Sequence, residues 1–316
     1  MEINGAAQPG PLTTVSDIRA TRGLPRVALV TCADLPDLDP DDRLLRAALA
    51  ERGVRAEAVL WDDPAVDWAG YRLAVIRSPW DYPSRRDEFV AWAATVPGLA
   101  NPADIVDWNT DKRYLRDLAA AGVPTVPTRW VAPGDAWTPP EDGTYVVKPA
   151  VGAGSRDAGR YDLADPEHRR LAVAHVARLQ AAGRVVMVQP YLGAVDTAGE
   201  TALLFLAGPD GLAFSHAIRK GAMLDGPDRG AEGLYRPERI TPRVPAAREL
   251  AAAEQVLAAV PGGRDRLLYA RVDLLPGPDG APMLLELEVT EPSLFLAHDP
   301  AAAGRLADAI VARLAS

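Results

Sequence analysis

The sequence predicts an α/β N-terminal domain followed by α+β domains, and three observations lead to this prediction. Short aliphatic segments alternate with helical segments over residues 25–107, the order that forms a small doubly wound sheet. From residue 108 onward the order changes to a helix, a glycine-rich loop and then successive strands. GPDG turns at 208–211 and 277–280 join pairs of those strands, as expected for hairpins.

The composition excludes several classes of protein. The 316 residues carry a net charge of −9, so no basic surplus indicates binding to nucleic acid. No window approaches about eighteen uninterrupted apolar residues, which argues against a membrane span. Residues 1–24 are expected to form a flexible tail without the pattern of a secretory signal. Cys32 is the only cysteine, which is typical of a reducing compartment, so we expect a cytoplasmic protein.

In the N-terminal domain, three strands alternate with helical segments. The strands are expected at 26–33, 56–61 and 72–78, and the helices at 43–53 and 87–96. Ligands bind beyond the carboxyl ends of strands in such sheets. The candidate substrate contacts are therefore residues of the RSPWDY stretch, namely Arg77, Ser78 and Asp81, together with Trp80 and Tyr82. The alternative is a proline-containing turn whose aromatic rings stack on the protein.

The remainder of the chain contains further helices and strands and two loops of functional interest. Helices are expected at 111–123, 167–183, 245–260 and 301–315, and strands at 144–150, 185–192, 200–208, 212–220, 267–276 and 281–289. The glycine-rich loop covers 151–159. Residues 221–243 are rich in glycine and proline, and we expect a long mobile loop there, since loops of that length are usually functional or disordered.

The stretch LLELEVTEPSLFL places carboxylates where a strand should enter the core. Because alternate side chains of a strand point to opposite faces, Glu286 and Glu288 should share one face. Leu285, Leu287 and Val289 should share the other. A solvated strand face would explain this pattern without any bound ligand.

The same carboxylates are also candidates for a metal site. A hairpin around the GPDG turn at 277–280 would bring Asp273 to the face of Glu286 and Glu288. Converging carboxylates repel each other unless a cation compensates them, and all-oxygen ligation favours Mg²⁺. Arg271 is expected on the same face, where it could neutralise developing negative charge.

Lysine is rare in this chain, so each lysine is informative. Only Lys112, Lys148 and Lys220 are lysines among the 34 basic residues, and the others are arginines. An ammonium group is compact and strongly hydrated, and it binds phosphate as a point charge. Lys148 ends a predicted strand just before the glycine-rich loop, whose backbone N–H groups could turn towards an anion. An ordinary β-turn is the alternative for that loop.

Taken in order along the chain, these features resemble the ATP-grasp superfamily over about residues 108–300. Residues 25–107 resemble the α/β domain that usually precedes it. The resemblance implies a lid subdomain at 108–192, which carries the glycine-rich loop, and a C-terminal subdomain at 193–316, which carries the metal site. It also implies ATP and Mg²⁺ as cofactors.

The resemblance assigns a role to each matching residue. The nucleotide-binding positions are Lys112 and Lys148 for the phosphates, Gly152, Gly154 and Ser155 in the phosphate loop, Gln189, Tyr191 and Leu192 at the adenine hinge, and Glu200 at the ribose. The metal set is Asp273, Glu286 and Glu288, where Glu288 replaces the asparagine of the family. The candidate catalytic cations are Arg271, Lys220 and the neighbouring Arg219.

The stretches RSPWDY, NPADIVDWNTDKRYL, SHAIRK and ELEVTEPSLFL further resemble a narrower group, which contains the cyclo-ligase that closes D-cycloserine from O-ureido-D-serine. This resemblance implies an ATP-dependent ligase that forms an acyl phosphate on a small-molecule carboxylate substrate, with no nucleic-acid or membrane partner. The sequence is also compatible with a homodimer. The alternatives are an intermolecular carboxylate–amine ligase and a nucleotide-binding protein without turnover.

Overall fold

The computed structural model describes residues 24–228, 230, 234 and 239–315, and its N-terminal part is a parallel sheet in the order β2-β1-β3-β4. The strands are β1 (Arg26–Thr31), β2 (Arg55–Leu60), β3 (Leu73–Ser78) and β4 (Leu99–Ala100), and the helices are α1 (Pro40–Glu51) and α2 (Arg86–Thr95). The predicted strands and helices of this domain are therefore confirmed, with ends that differ from the prediction by at most three residues. Asp39 begins α1 by accepting a hydrogen bond from the backbone N–H of Asp41, and Pro40 fits the first helical turn. The tail predicted at 1–24 lies outside the described residues except for Leu24.

Two short helices connect this sheet to a second one. They are α3 (Ala103–Asn109) and α4 (Tyr114–Ala120), and α4 is shorter than the helix predicted over 111–123. The second sheet is antiparallel, in the order β5-β8-β6-β7, with β5 (Arg129–Val131), β6 (Thr144–Pro149), β7 (Gly159–Asp162) and β8 (Val186–Pro190). Helix α5 (Pro166–Ala181) packs on it through Ala172, Val176 and Leu179. We call β5–β8 and α5 the lid.

The third sheet is central and antiparallel, in the order β11-β10-β9-β12-β13. Its strands are β9 (Glu200–Gly208), β10 (Gly211–Lys220), β11 (Ile240–Arg243), β12 (Tyr269–Pro276) and β13 (Pro282–Glu288). The helices of this part of the chain are α6 (Val195–Ala198) before β9, α7 (Ala247–Ala258) between β11 and β12, and α8 (Ala302–Ala315) after β13. The prediction of a loop over 221–243 is wrong for the last four residues, because residues 240–243 form β11 and pair with β10. Residues 229, 231–233 and 235–238 of that prediction lie outside the described residues.

Both faces of the central sheet are covered. Helices α3, α4 and α7 bury one face, through residues such as Leu115 and Val256 packed with Phe205. Helix α8 covers the other face and shares a core with α1 and the N-terminal sheet, where Leu306 packs with Leu29 and Leu204. The N-terminal domain is thereby fixed to the central sheet by apolar burial. Within the described ranges, no helix combines the length and apolar content that a transmembrane span requires.

The hairpin of β12 and β13 forms as predicted, with one irregularity. Asp273 pairs with Glu286 and Arg271 pairs with Glu288, but the partner of Leu274 is Leu284. This shift is a β-bulge, which leaves Leu285 without a partner and alters the direction of its side chain. Leu287 and Val289 are buried in the core as expected, whereas Leu285 lines a cavity. The prediction that Leu285 packs with them is therefore wrong.

Candidate active site

A cavity of about 750 Å³ lies between the lid and the central sheet, and the N-terminal domain closes one side. Most residues proposed from the sequence line it. They are Lys112, Lys148, Gly152, Gly154, Ser155, Gln189, Tyr191, Leu192, Glu200, Lys220, Arg271, Asp273, Glu286 and Glu288. The three lysines of the chain therefore meet in one place, together with the acidic hairpin.

Asp273 is bound by two cations of this site. Its Oδ2 lies 2.9 Å from Lys220 Nζ, and Arg271 Nε donates to its Oδ1 at 2.9 Å. Burial opposes ionisation, but the two cations prevail and hold the pKa of Asp273 well below its usual range. Lys220 also forms an ion pair with Glu200. Burial raises the pKa of Glu200 to about 7, and Lys220 offsets part of this effect.

The two glutamates of β13 have opposite electrostatic surroundings. Glu286 Oε1 lies 2.9 Å from Lys112 Nζ, and although burial opposes ionisation, Lys112 and Lys148 lower the pKa of Glu286. Glu288 forms an ion pair with Arg271. Burial raises the pKa of Glu288 to about 8, and the charges of Glu286 and Asp273 add to this effect. A cation entering the cavity would therefore stabilise the ionised form of Glu288.

The acidic residues of the hairpin provide the type of ligand atoms that Mg²⁺ prefers. Asp273, Glu286 and Glu288 supply only oxygen donors, and they lie on two paired strands that line one cavity. In the part of the chain that the structure describes, no three His, Cys, Asp or Glu side chains are gathered closely enough to hold a metal ion as they stand. Lysine and arginine groups bind the same carboxylate oxygens, so an ion would compete with those groups for them.

Lys148 differs from the other two lysines. Lys112 Nζ donates to Gly152 O at 2.6 Å and pairs with Glu286, and Lys220 pairs with Glu200 and Asp273. Lys148 forms no ion pair within 4.0 Å among the described residues. Burial lowers its pKa, since removing an ammonium from water is unfavourable. An anionic ligand would offset that cost.

The glycine-rich loop reaches over the lysines at the edge of the lid. Gly154 and Ser155 adopt left-handed backbone conformations, with φ of 61° and 56°, a region that glycine enters without steric cost. Arg184 anchors the loop at both ends, because it donates to Val151 O at 2.7 Å and pairs with Asp157 at 2.5 Å. The prediction that this loop extends to residue 159 is corrected by one position, since β7 begins at Gly159.

An apolar slot adjoins the lysines at the hinge between the lid and the central sheet. The slot is lined by Val126, Tyr191, Leu192, Val195, Leu275 and Leu285. Gln189 lies at its side, where its Nε2 donates to Thr128 Oγ1 at 2.9 Å. Such a slot beside a cluster of ammonium groups can hold a flat aromatic ring that is linked to an anionic group.

Five predicted site residues are not brought to the cavity, and one of them is Tyr82, which is buried and stacks on Phe89. Arg77 is fully buried, and its Nε donates to Asp42 Oδ1 at 2.8 Å. Ser78 bonds to Thr31, and Asp81 accepts from Trp61 Nε1. Arg219 points to the opposite face of β10 from Lys220, and donates to Ala198 O and Thr197 O instead. Direct contacts of these five with a ligand in this cavity are therefore not supported.

Other residues line the cavity without having been assigned a role from the sequence. From the end of β13 onward they are Glu291, Ser293, Phe295, Ala297 and His298, and from the N-terminal domain Asp39, Pro40, Asp41 and Leu44. Trp80, in contrast, is one of the candidate substrate contacts predicted in RSPWDY, and it does line the cavity. Glu291 could have been found from the sequence, because it is a carboxylate between apolar segments like Glu286 and Glu288.

Comparisons with known proteins agree with this geometry. Residues 27–102 match the family model of the N-terminal domain of D-cycloserine synthetase DcsG. The chain is 42% identical over 305 residues to the cycloserine biosynthesis protein DcsG of Streptomyces lavendulae, covering 91% of this chain and 98% of that protein. It also resembles the crystal structure of D-cycloserine synthetase DcsG, with a TM-score of 0.79, 38% identity and coverage of 92% and 99%.

More distant structures share the fold. A RimK-domain ATP-grasp protein from Sphaerobacter thermophilus has a TM-score of 0.59 at 20% identity, with coverage of 90% of this chain and 98% of that chain. The D-alanine–D-alanine ligase of Bacillus anthracis, in complex with ATP, has a TM-score of 0.60 at 14% identity, with coverage of 92% and 97%. The predicted α/β domain followed by α+β ATP-grasp domains is thus confirmed as a fold.

Proposed function

This chain belongs to the family of the D-cycloserine synthetase DcsG, which has the ATP-grasp fold, and from that premise we propose that it closes D-cycloserine from O-ureido-D-serine at the expense of ATP. One observation carries the proposal for the site. Lys112, Lys148 and Lys220 line the same cavity as Asp273 and the glutamates of β13. Ammonium groups and carboxylates in this number suit a reaction that positions and neutralises phosphates.

The chemistry proceeds in three steps. The substrate carboxylate attacks the γ-phosphorus of ATP, which gives an acyl phosphate and ADP. The oxygen-bound nitrogen of the ureido group then attacks the acyl carbon, the ring closes, and phosphate leaves. With one water, the carbamoyl group departs as carbon dioxide and ammonia. We assign to Lys148 and Lys112 the binding of phosphate, and to Arg271 the neutralisation of the oxyanion formed at the acyl carbon.

The cofactor residues follow from the same cavity. We propose that Asp273, Glu286 and Glu288 hold Mg²⁺, which supplies charge neutralisation for the phosphates. The apolar slot with Tyr191 and Leu192 would hold adenine, and Glu200 the ribose hydroxyls. Ser155 and its neighbouring glycines would cover the phosphates and keep water from the acyl phosphate. Arg77, Ser78, Asp81 and Arg219 are given no contact with the ligand, because none of their side chains lines the cavity.

The decisive experiment is incubation of the purified protein with ATP, Mg²⁺ and O-ureido-D-serine. We expect release of ADP and phosphate in equal amounts and formation of D-cycloserine, measured by chromatography with mass detection. Omission of the amino acid is the control. Release of ADP only with a pair of amino acids would reject ring closure in favour of an intermolecular ligase. Tight binding of ATP without ADP release with any carboxylate would reject an enzyme altogether.

A further inference from the structure

The segment that follows β13 is held by side chains along its whole length. Each backbone carbonyl from residue 289 to 294 accepts a hydrogen bond from a different side chain. The pairs are Val289 with Asn101 (2.7 Å), Thr290 with Tyr269 (2.9 Å), Glu291 with Trp80 (3.0 Å), Pro292 with Arg77 (2.7 Å), Ser293 with Arg271 (3.1 Å) and Leu294 with His216 (2.9 Å). We call residues 289–294 the clamped segment.

Three of these donors belong to the N-terminal domain and three to the central sheet. Arg77, fixed by Asp42, is one of them, so its role is to hold the segment rather than to contact a ligand. Irregular backbone that is bound at every carbonyl has little freedom to move. The side chains that this segment presents to the cavity, those of Glu291 and Ser293, therefore start from a fixed backbone.

Glu291 stands apart from the carboxylates of the central sheet. Asp273, Glu286, Glu288 and Glu200 each form an ion pair with a lysine or arginine of the cavity. Among the described residues, Glu291 forms no ion pair within 4.0 Å, and the buried Tyr82 favours its ionised form. Burial raises the pKa of Glu291, whereas Tyr82 and Lys112 act in the opposite direction.

A half-buried carboxylate that lines a cavity without a direct ion pair can bind a positive group there. A carboxylate accepts hydrogen bonds through several lone pairs. A ligand ammonium would provide both the missing charge and further donors.

We propose that Glu291 binds the α-ammonium group of an amino-acid substrate and thereby positions its carboxylate for phosphorylation. This inference rests on the proposed function and deepens it. In the ring closure the α-amino group is not consumed, and the nucleophile is the nitrogen bound to oxygen. A carboxylate that keeps the α-amine protonated removes its lone pair, so the same contact suppresses attack by the α-amine on the acyl phosphate of another molecule.

The test measures binding rather than turnover, so that it does not depend on the product. Protein loaded with Mg²⁺ and a non-hydrolysable ATP analogue is titrated calorimetrically with O-ureido-D-serine and with its N-acetyl derivative. Glu291→Gln keeps the size of the side chain and a hydrogen-bond acceptor but removes the charge. We expect it to weaken binding of the free amino acid by about ten- to hundredfold, as for a charge-assisted hydrogen bond. It should leave the weak binding of the N-acetyl derivative and the affinity for the ATP analogue within about twofold.

Glu88→Gln, at an exposed position of α2, is the matched control and should bind both ligands like the unaltered protein. Equal weakening for the free and the N-acetylated ligand would overturn the assignment, as would unchanged binding of the free amino acid. Loss of affinity for the ATP analogue would also overturn it, because a general structural defect would then explain the result. Failure of the proposed function gives a different result, because the unaltered protein would then not convert O-ureido-D-serine. In that case the same titration is made with the amino acid that the protein does accept.

Discussion

Lys112 and Lys148 line the same cavity, but only Lys112 already has a carboxylate partner, with 2.9 Å between its Nζ and Glu286 Oε1. Burial lowers the pKa of Lys148, whereas Glu286 prevails over burial and raises the pKa of Lys112. The two lysines should therefore respond differently to the same substitution. Comparing the two substitutions therefore distinguishes an effect on nucleotide binding from an effect on the free energy of unfolding.

Lys148→Met should weaken ATP binding by at least about tenfold without lowering the free energy of unfolding, because it removes a buried cation that has no ion-pair partner among the described residues. Lys112→Met, the matched comparison, should weaken ATP binding and also lower the free energy of unfolding by about 2 kcal/mol, since Glu286 is left unpaired. Calorimetric titration and urea denaturation measure the two quantities. Equal destabilisation by both substitutions would contradict this explanation.

Glu286→Gln should abolish ADP formation while leaving the fold intact, because the neutral amide is a poor ligand for Mg²⁺ and a poor partner for Lys112. Turnover is measured as ADP release over a range of Mg²⁺ concentrations, with circular dichroism as the test of folding. Glu88→Gln serves again as the control and should keep full activity. A fully active Glu286→Gln protein would refute the metal assignment.

Arg77→Met should lower the free energy of unfolding by about 3–5 kcal/mol, the usual cost of removing one partner from a buried ion pair. Both partners are almost completely buried, with 0% and 3% of the side chain exposed for Arg77 and Asp42. Asp42→Asn combined with Arg77→Met should recover part of the loss, because the unpaired carboxylate is then gone. Urea denaturation of the two single variants and the double variant measures the coupling. Strict additivity would show that the pair does not interact.

His175 should make the stability depend on pH. Its Nδ1 lies 2.8 Å from the hydroxyl of Tyr161, and burial lowers its pKa from 6.5 to about 4 in the folded protein. The unfolded chain therefore takes up a proton first as the pH falls, so this contribution to stability is complete above pH 6.5 and is lost towards pH 4. Between pH 7.5 and 5 the loss is about 2 kcal/mol.

The measurement compares the free energy of unfolding at these two pH values for the unaltered protein and for His175→Gln. The variant should lose about 2 kcal/mol less over this interval, whatever its stability at pH 7.5. His168→Gln, at a partly exposed position of the same helix α5, should retain the full pH dependence. If His175→Gln retains it too, another group must be responsible.

The sequence predicted the cavity residues well where strand geometry determines the direction of a side chain. Lys148 at the end of β6, and the hairpin that pairs Asp273 with Glu286, both follow from local patterns. Arg219 was wrongly assigned although the same alternation of faces could have excluded it, because it neighbours Lys220 on one strand. The bulge that turns Leu285 into the cavity has no local signal.

The remaining errors concern contacts between distant segments. Arg77 lies at the carboxyl end of a parallel strand, where ligands usually bind. Its side chain is nevertheless directed away from the cavity, because it binds Asp42 and the carbonyl of Pro292. Strand β11 includes Pro242 and forms only because β10 offers a free edge, with Lys220 opposite Ile240. Both features depend on tertiary contacts, which a pattern of residue types along one segment does not encode.

The clamped segment is bound by both the N-terminal domain and the central sheet, and this limits which domains can be exchanged between such proteins. An N-terminal domain exchanged between relatives would bring its own versions of Arg77, Trp80 and Asn101, each of which must meet a carbonyl beyond β13. Asp41 adds to this requirement by accepting hydrogen bonds from the N–H groups of Leu296 and Ala297, both at 2.8 Å. Chimeras should therefore be functional only when the exchanged N-terminal domain keeps these donors and Asp41 in place, because the loop after β13 is bound to both parts of the molecule.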